Sequence, residues 1–452
     1  MILRKVNFNM SLLILCIILF LNCIISYLCF KKFLSVSLIC NFVFLFSCLF
    51  LLLYSNELNF YLNLKTFFLI LFSLIFVFVG EILTKYILIK KPKKNFDVIN
   101  VEISQLKLFI CFLFSFISFM LYLKDTIQLS LQYYGTPFGF VENIKNIKIA
   151  GNFVVSTITS QLYLANQILS EILIFYFLKK LIIDKKIVKN VFFYLSICFY
   201  CGTVLLTATR SRLLNLFIYG IIASLLLIYW NSKNEKTFNK KNELWKFFGK
   251  IIPLFCILLL LFYLSGFLTG KALQYNSIGE NLLNYCGMSI YNLNYYLENT
   301  TNSIFNDGTS FFGIHTLSGI YSFLRNIGFD IPEPIIALEY IQSPLVLGNV
   351  FTPLRRYYQD FGFIGVALIS FFVGFIYKYL INKSQKYPFS FFALISIHFI
   401  YPIFFWSIED RLFMDVLLFP RNLYEVFYII IFSSILFCFN VKKNTIKYKN
   451  YE

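Results

Sequence analysis

The stretch Phe67-Phe-Leu-Ile-Leu-Phe-Ser-Leu-Ile-Phe-Val-Phe-Val-Gly-Glu-Ile-Leu-Thr-Lys-Tyr-Ile-Leu-Ile89 carries only two charges, Glu81 and Lys85. It matches the ~20 largely apolar residues that an α-helix needs to cross a bilayer. Ten more runs of this kind occupy 8–30, 33–54, 106–123, 153–178, 190–208, 213–230, 251–269, 362–381, 389–407 and 424–440, and the eleven together use about half of the 452 residues. Composition agrees: 59% of residues are apolar, 20% aromatic and 14% charged, against roughly 45–50% apolar and about 25% charged in soluble domains. A soluble enzyme, a disordered chain, collagen and a coiled coil are excluded on this arithmetic. The expected fold is all-α, a polytopic transmembrane bundle of about 11 spans. Residues 1–269 hold spans 1–8, 270–361 form a large extracytoplasmic loop, 362–440 hold spans 9–11, and 441–452 are a cytoplasmic tail.

Orientation follows from the basic residues, which are retained on the cytoplasmic side during insertion. The segments after spans 1, 3, 5, 7 and 9 and the tail, with the span ends beside them, hold 25 of the 40 Lys and Arg, and the other five loops hold 12. This places the C-terminus in the cytoplasm and, with eleven spans, the N-terminus outside, a placement that Arg4 and Lys5 oppose. The first span is too long for a signal-peptide core and no small-x-small site follows it, so it is expected to stay in the mature chain. Acidic residues fall so that the cytoplasmic side carries the whole formal excess of +18 and the outer side is balanced. The lysines are scattered over six short segments rather than gathered in a patch, so nucleic acid is not an expected partner. Ten of eleven Cys lie within spans and only Cys286 lies outside them, leaving no pair for an extracellular disulfide. Cys198 and Cys201 are spaced C-x-x-C but are read as small core residues.

The segment 270–361 has 92 residues, too many for a structureless connection. Residues 279–298 and 315–326 place apolar side chains at helical spacing and are expected as helices lying on the bilayer. Pro332, Pro334, Pro344 and Pro353 break the remainder into turns. The segment 125–152 is a second, smaller outer loop. A phosphate loop, H-E-x-x-H and G-x-S-x-G are all missing from the sequence, and no cofactor or metal is expected.

Every Arg after Arg4 falls on the expected outer side, namely Arg210, Arg212, Arg325, Arg355, Arg356, Arg411 and Arg421, while the cytoplasmic segments use Lys alone. A need for the planar guanidinium fork, which pairs bidentately with phosphate, would explain that split. Arg210 and Arg212 occupy a tight turn between two short spans, at the depth of a lipid diphosphate. Arg210, Arg355 and Arg356 are the leading diphosphate-binding candidates, with Arg212 and Arg411 beside them. Snorkelling or pairing with acids is the alternative, and it suits Arg421 and also Arg212. His315, in Gly313-Ile-His-Thr316, is a candidate base for a sugar hydroxyl, with Asp360 as the other. Asp360 has a structural alternative, pairing with Arg356 or capping a helix near Gly362. His398 is expected to be hydrogen-bonded inside the bundle, and Glu81 and Lys85, four residues apart, to neutralise one another.

The run Gly348-Asn-Val-Phe-Thr-Pro-Leu-Arg-Arg-Tyr-Tyr-Gln-Asp-Phe-Gly-Phe-Ile-Gly365, followed by a span holding Gly374, resembles the characteristic stretch of bacterial oligosaccharide repeat-unit polymerases, the Wzy-type O-antigen and capsule polymerases. Thr207 to Arg212 resembles their Arg-bearing turn, and 279–326 their large periplasmic loop. The resemblance covers about 200–380. It implies a glycosyltransferase C-like architecture, related to O-antigen ligases, in the bacterial cytoplasmic membrane. It also implies inverting transfer of a growing glycan from undecaprenyl diphosphate to another lipid-linked repeat, without metal or nucleotide sugar. Implied partners are the lipid-linked donor and acceptor, membrane lipids, a flippase and a chain-length regulator. An O-antigen ligase-like enzyme and a lipid-linked oligosaccharide flippase are the alternatives.

Overall fold

In the computed structural model, which describes residues 9–31, 34–87, 102–207, 211–234, 278–299, 312–332, 338–345 and 347–437, the apolar runs are helices that start where a polar side chain can receive the first unpaired N–H groups. Asn9 caps α1 (Met10–Phe30), Ser35 α2 (Val36–Leu53), Ser104 α4 (Gln105–Tyr134), Ser156 α6 (Thr157–Ile182), Asn190 α7 (Val191–Leu206) and Ser390 α13 (Phe391–Ile400). The remaining helices are α3 (Leu64–Ile87), α5 (Phe140–Ile149), α8 (Ser211–Asn234), α9 (Ile278–Cys286), α10 (Met288–Asn299), α11 (Ser318–Asn326), α12 (Leu354–Lys386) and α14 (Arg421–Phe437). A two-residue hairpin pairs β1 (Ile341–Gln342) with β2 (Leu347–Gly348). Seven helices, α1, α2, α3, α4, α6, α8 and α12, are long and apolar enough to cross a membrane. Their outward faces are apolar as well, with Phe42 60%, Phe68 57% and Ile364 73% exposed. The chain is a multi-pass helical membrane protein. The expected span 251–269 lies outside the described residues.

Helices α3 and α12 approach most closely where two glycines remove the side chains between them. A Cβ on Gly80 would sit 2.1 Å from the carbonyl oxygen of Phe371, and one on Gly374 2.1 Å from that of Val77. Backbone contact of this kind lets van der Waals packing and short hydrogen bonds hold membrane helices together. Ser73 and Ser370 hydroxyls meet at 2.8 Å, and the Thr84 hydroxyl donates to the Phe375 carbonyl at 3.0 Å. Glu81 does not pair with Lys85. It is fully buried against Lys378 of α12, 2.6 Å away, and accepts from the Ser35 and Ser37 hydroxyls and the Ser37 N–H. Lys85 faces outward and donates to the Cys29 carbonyl. Spacing of i, i+4 brings the pair close on one helix, but the burial of Glu81 gives it a cation from another.

Several expected boundaries move. Helix α4 runs past the charged pair Lys124–Asp125 to Gly135, whose positive φ of 68° caps it, and α5 follows, so 125–152 is largely helical. The expected helix 279–298 is two helices separated by Gly287, and their apolar faces pack into the protein. Leu283, Met288, Ile290 and Leu293 are completely buried, and Asn294 bonds to the backbone of Asn63 and Tyr61 between α2 and α3. Helix α12 begins eight residues before the expected span and breaks at Gly362 (φ 62°, ψ −158°), a conformation open to glycine. The run 389–407 is helical only to Ile400, where Pro402 and a 3-10 turn (Tyr401–Phe405) end it. Ten residues rise only about 15 Å, half of a ~30 Å hydrocarbon layer. The chain therefore turns inside the bundle, where Ser407 bonds to the Ser47 hydroxyl (2.8 Å) and the Val43 carbonyl (3.0 Å) in the middle of α2. Irregular backbone at such depth is tolerated where protein or a water-filled cavity satisfies it.

Candidate functional site

The hairpin and the segment behind it deliver Arg355 and Arg356 to the interior. Asn292 of α10 donates to the carbonyls of Val350 (2.8 Å) and Gly348 (3.3 Å), which fixes the chain entering α12. Arg355, 3% exposed, lies between the rings of Tyr296 and Phe351, each 4.5 Å from its guanidinium carbon, and bonds to Glu339 at 2.8 Å. Arg356, 4% exposed, donates to the main-chain carbonyl of His315 at 2.8 Å. Asp360, one turn further on, accepts from the Thr316 N–H (2.6 Å) and the His315 N–H (3.4 Å). Four expected site residues, His315, Asp360, Arg355 and Arg356, are thus gathered across 45 residues of sequence. Asp360 caps the turn at His315 rather than the helix near Gly362 or the guanidinium of Arg356, and its two oxygens each face a main-chain donor.

Against this arm of α12 lies a carboxyl that the sequence did not single out. Asp410 Oδ1 accepts from the Tyr357 hydroxyl (3.2 Å) and from the N–H groups of Leu412 and Phe413 (3.1 Å each). Its Oδ2 has no hydrogen-bond partner among the described residues. Burial pushes the Asp410 carboxyl up to about 6, against the opposing pull of the Phe413 N–H, Arg356 and Tyr357. The Tyr357 ring packs on Trp406 (5.8 Å between centroids) and Phe413 (5.6 Å).

The other arginines take a different environment. Arg411 bonds to Glu409 and to Asp415 (2.7 Å), Arg212 reaches Asp415 at 3.4 Å, and Arg421 pairs with Glu425 at 2.9 Å. The Tyr401 hydroxyl also donates to Asp415, at 3.0 Å. Burial alone would raise the Asp415 carboxyl, yet Arg212, Arg411 and Arg421 hold it well below the usual carboxylate range. The network continues inward. Glu425 lies 3.3 Å from His398 Nε2, and His398 Nδ1 lies 2.6 Å from Glu171. Glu171 is eight residues before Lys179 and His398 eight after Ser390, about 12 Å into the bundle from that end. Arg212 and Arg411, expected to grip diphosphate, are paired with carboxylates here. Arg421 is paired with acids as expected, and His398 is bonded inside the bundle. Arg210 lies outside the described residues.

Two features escaped the sequence reading. Glu171 and His398 were each visible as ionisable residues inside apolar runs, the type that needs a partner in the membrane, but nothing in their spacing joined them. Asp410 was hidden among Glu409, Arg411 and Asp415 because its isolation depends on Tyr357, 53 residues away. Among the described residues, no group of three or more His, Cys, Asp or Glu is placed to hold a metal ion. Compared with protein-family models, curated proteins and solved structures, the chain matches none.

Proposed function

We propose that this protein polymerises undecaprenyl-diphosphate-linked oligosaccharide repeats into O-antigen or capsular polysaccharide at the outer face of a bacterial cytoplasmic membrane. The observation that carries the reading is the buried tandem of Arg355 and Arg356, placed on a short arm of α12 beside Asp410. In the transfer, the acceptor oxygen bonds to the anomeric carbon of the donor glycan, the bond from that carbon to the diphosphate breaks, and its electron pair leaves on the diphosphate. Guanidinium groups held in a water-poor site stabilise that developing charge without reorganising. The reading includes a glycosyltransferase C-like bundle of about 11 spans, with the C-terminus in the cytoplasm and 270–361 outside. Its partners are the lipid-linked donor and acceptor, membrane lipids, a flippase and a chain-length regulator.

A second reading is favoured by a specific observation. Charged groups in mid-bundle, Glu171, His398 and Glu425, next to the interrupted helices α12 and α13, are the arrangement found where transporters bind their cargo. A flippase for the same lipid-linked oligosaccharide would fit it. Analysis of the lipid-linked glycans in a deletion strain separates these. Single repeats at the outer leaflet support the polymerase, and single repeats held at the inner leaflet support the flippase. Full-length polymer left on its lipid carrier supports an O-antigen ligase-like enzyme.

A further inference from the structure

We propose that Asp410 is the proton acceptor of the transfer reaction, taking the proton of the acceptor sugar hydroxyl on its Oδ2, a role that rests on the polymerase reading above. The two oxygens of this carboxyl are treated differently. Three donors, the Tyr357 hydroxyl and the N–H groups of Leu412 and Phe413, converge on Oδ1 and fix the orientation of the group. Oδ2 is left without a partner among the described residues, on a side chain that is 7% exposed. A buried carboxylate oxygen without a donor is costly, so its persistence calls for a use.

Its surroundings fit a glycan hydroxyl. Two other buried polar atoms near the Tyr357 ring also have no hydrogen-bond partner among the described residues, Trp406 Nε1 and the Tyr377 hydroxyl. A sugar offers hydroxyl donors to the first oxygen and hydroxyl acceptors to the other two groups, whereas an alkyl chain offers neither. Among the described residues, the ionisable groups facing Asp410 include Arg356, Tyr357 and Tyr377 of α12, while its neighbours Glu409 and Arg411 bond to each other. Arg356 places the cation intended for the leaving diphosphate within electrostatic reach of the base. Asp360, named from the sequence as the alternative to His315 as base, has both oxygens committed to main-chain N–H groups. With the carboxyl at about 6, most of it is ionised at pH 7 and ready to accept a proton. The proton passes from the acceptor hydroxyl to Oδ2 as the new glycosidic bond forms, and then to water.

The test uses the full chain in liposomes supplied with lipid-linked repeats, with polymer formation followed from pH 5 to 8. Wild type should lose about tenfold in rate per pH unit below about 6. Asp410→Asn keeps the Oδ1 acceptor and so the local fold. It should lose about 10²-fold or more, lose the acid limb, and still retain lipid-linked repeats on purification. Tyr357→Phe removes a donor that favours the ionised form and should move the acid limb to higher pH, a displacement that a purely structural Asp410 would not produce. Asp410→Asn within threefold of wild type, or a Tyr357→Phe profile superimposed on that of wild type, overturns the proposal while leaving the polymerase reading intact. A wild-type protein that forms no polymer at any pH overturns both.

Discussion

Two groups of arginines in this protein are held by different kinds of partner. Around Arg212, Arg411 and Arg421 the carboxylates of Glu409, Asp415 and Glu425 answer each guanidinium, and the network closes through His398 onto Glu171. It ties the irregular chain between α13 and α14 to α6 and α8, so its charge serves architecture. Around Arg355 and Arg356 the partners are of mixed kind: Glu339 pairs with Arg355, and aromatic faces and a main-chain carbonyl complete the setting. The lesson is that an arginine's role is set by what its neighbours do to its charge.

The largest effect is expected at the carboxylate-paired arginines. Removing one partner from a buried ion network leaves the other uncompensated, typically at about 3–5 kcal/mol. Asp415→Asn, which strips the shared anion from three arginines, is expected to lower the amount of folded protein in membranes sharply, read by immunoblot and size-exclusion in detergent. Normal levels would mean that the network does not hold the bundle. At the other half, Arg355→Lys and Arg356→Lys keep the charge and lose the fork. Each is expected to cost about 10²–10³ in polymerisation rate at near-normal membrane levels. Full-length ladders from both would remove the diphosphate role.

These contrasts were partly legible in the sequence. Apolar run length located most of the long helices, and the Lys-to-Arg split drew attention to arginines that the structure sorts into two settings, Arg355 and Arg356 in one and Arg212 and Arg411 in the other. The helical arm before Gly362 and the early end of α13 at Ile400 were not legible, because the arm is polar and hydropathy continues past Ile400, so only tertiary contacts reveal the two turns. Glu81 was misjudged for a related reason. Its local partner Lys85 was visible, whereas Lys378 lies almost 300 residues away and meets it only because Gly80 and Gly374 allow α3 and α12 to touch.

A smaller effect sharpens the role of Asp410 from the side of stability. A carboxyl raised to about 6 in the folded state, against 3.8 ordinarily, favours folding while protonated at low pH. That advantage fades as pH rises from about 4 through about 6, so the ionised group costs at most about 3 kcal/mol at neutral pH. Asp410→Asn is expected to raise the melting temperature in detergent at pH 7, with the gain vanishing near pH 4. A lower melting temperature at pH 7 would assign Asp410 a structural role. The smallest effect is expected at Arg421, one quarter exposed and paired with Glu425 on its own helix. Arg421→Lys should leave both membrane level and chain length close to wild type, and a short ladder would move the boundary between the two regions.

On the proposed function, the region around Arg355, Arg356 and Asp410 joins lipid-linked repeats rather than moving them across the membrane. Liposomes containing the purified full chain, with lipid-linked single repeats incorporated in the bilayer, test it directly. A ladder of lipid-linked polymer is expected to grow without sugar nucleotide and to be lost in the Arg356→Lys protein. Repeats that cross the bilayer but stay single would contradict it.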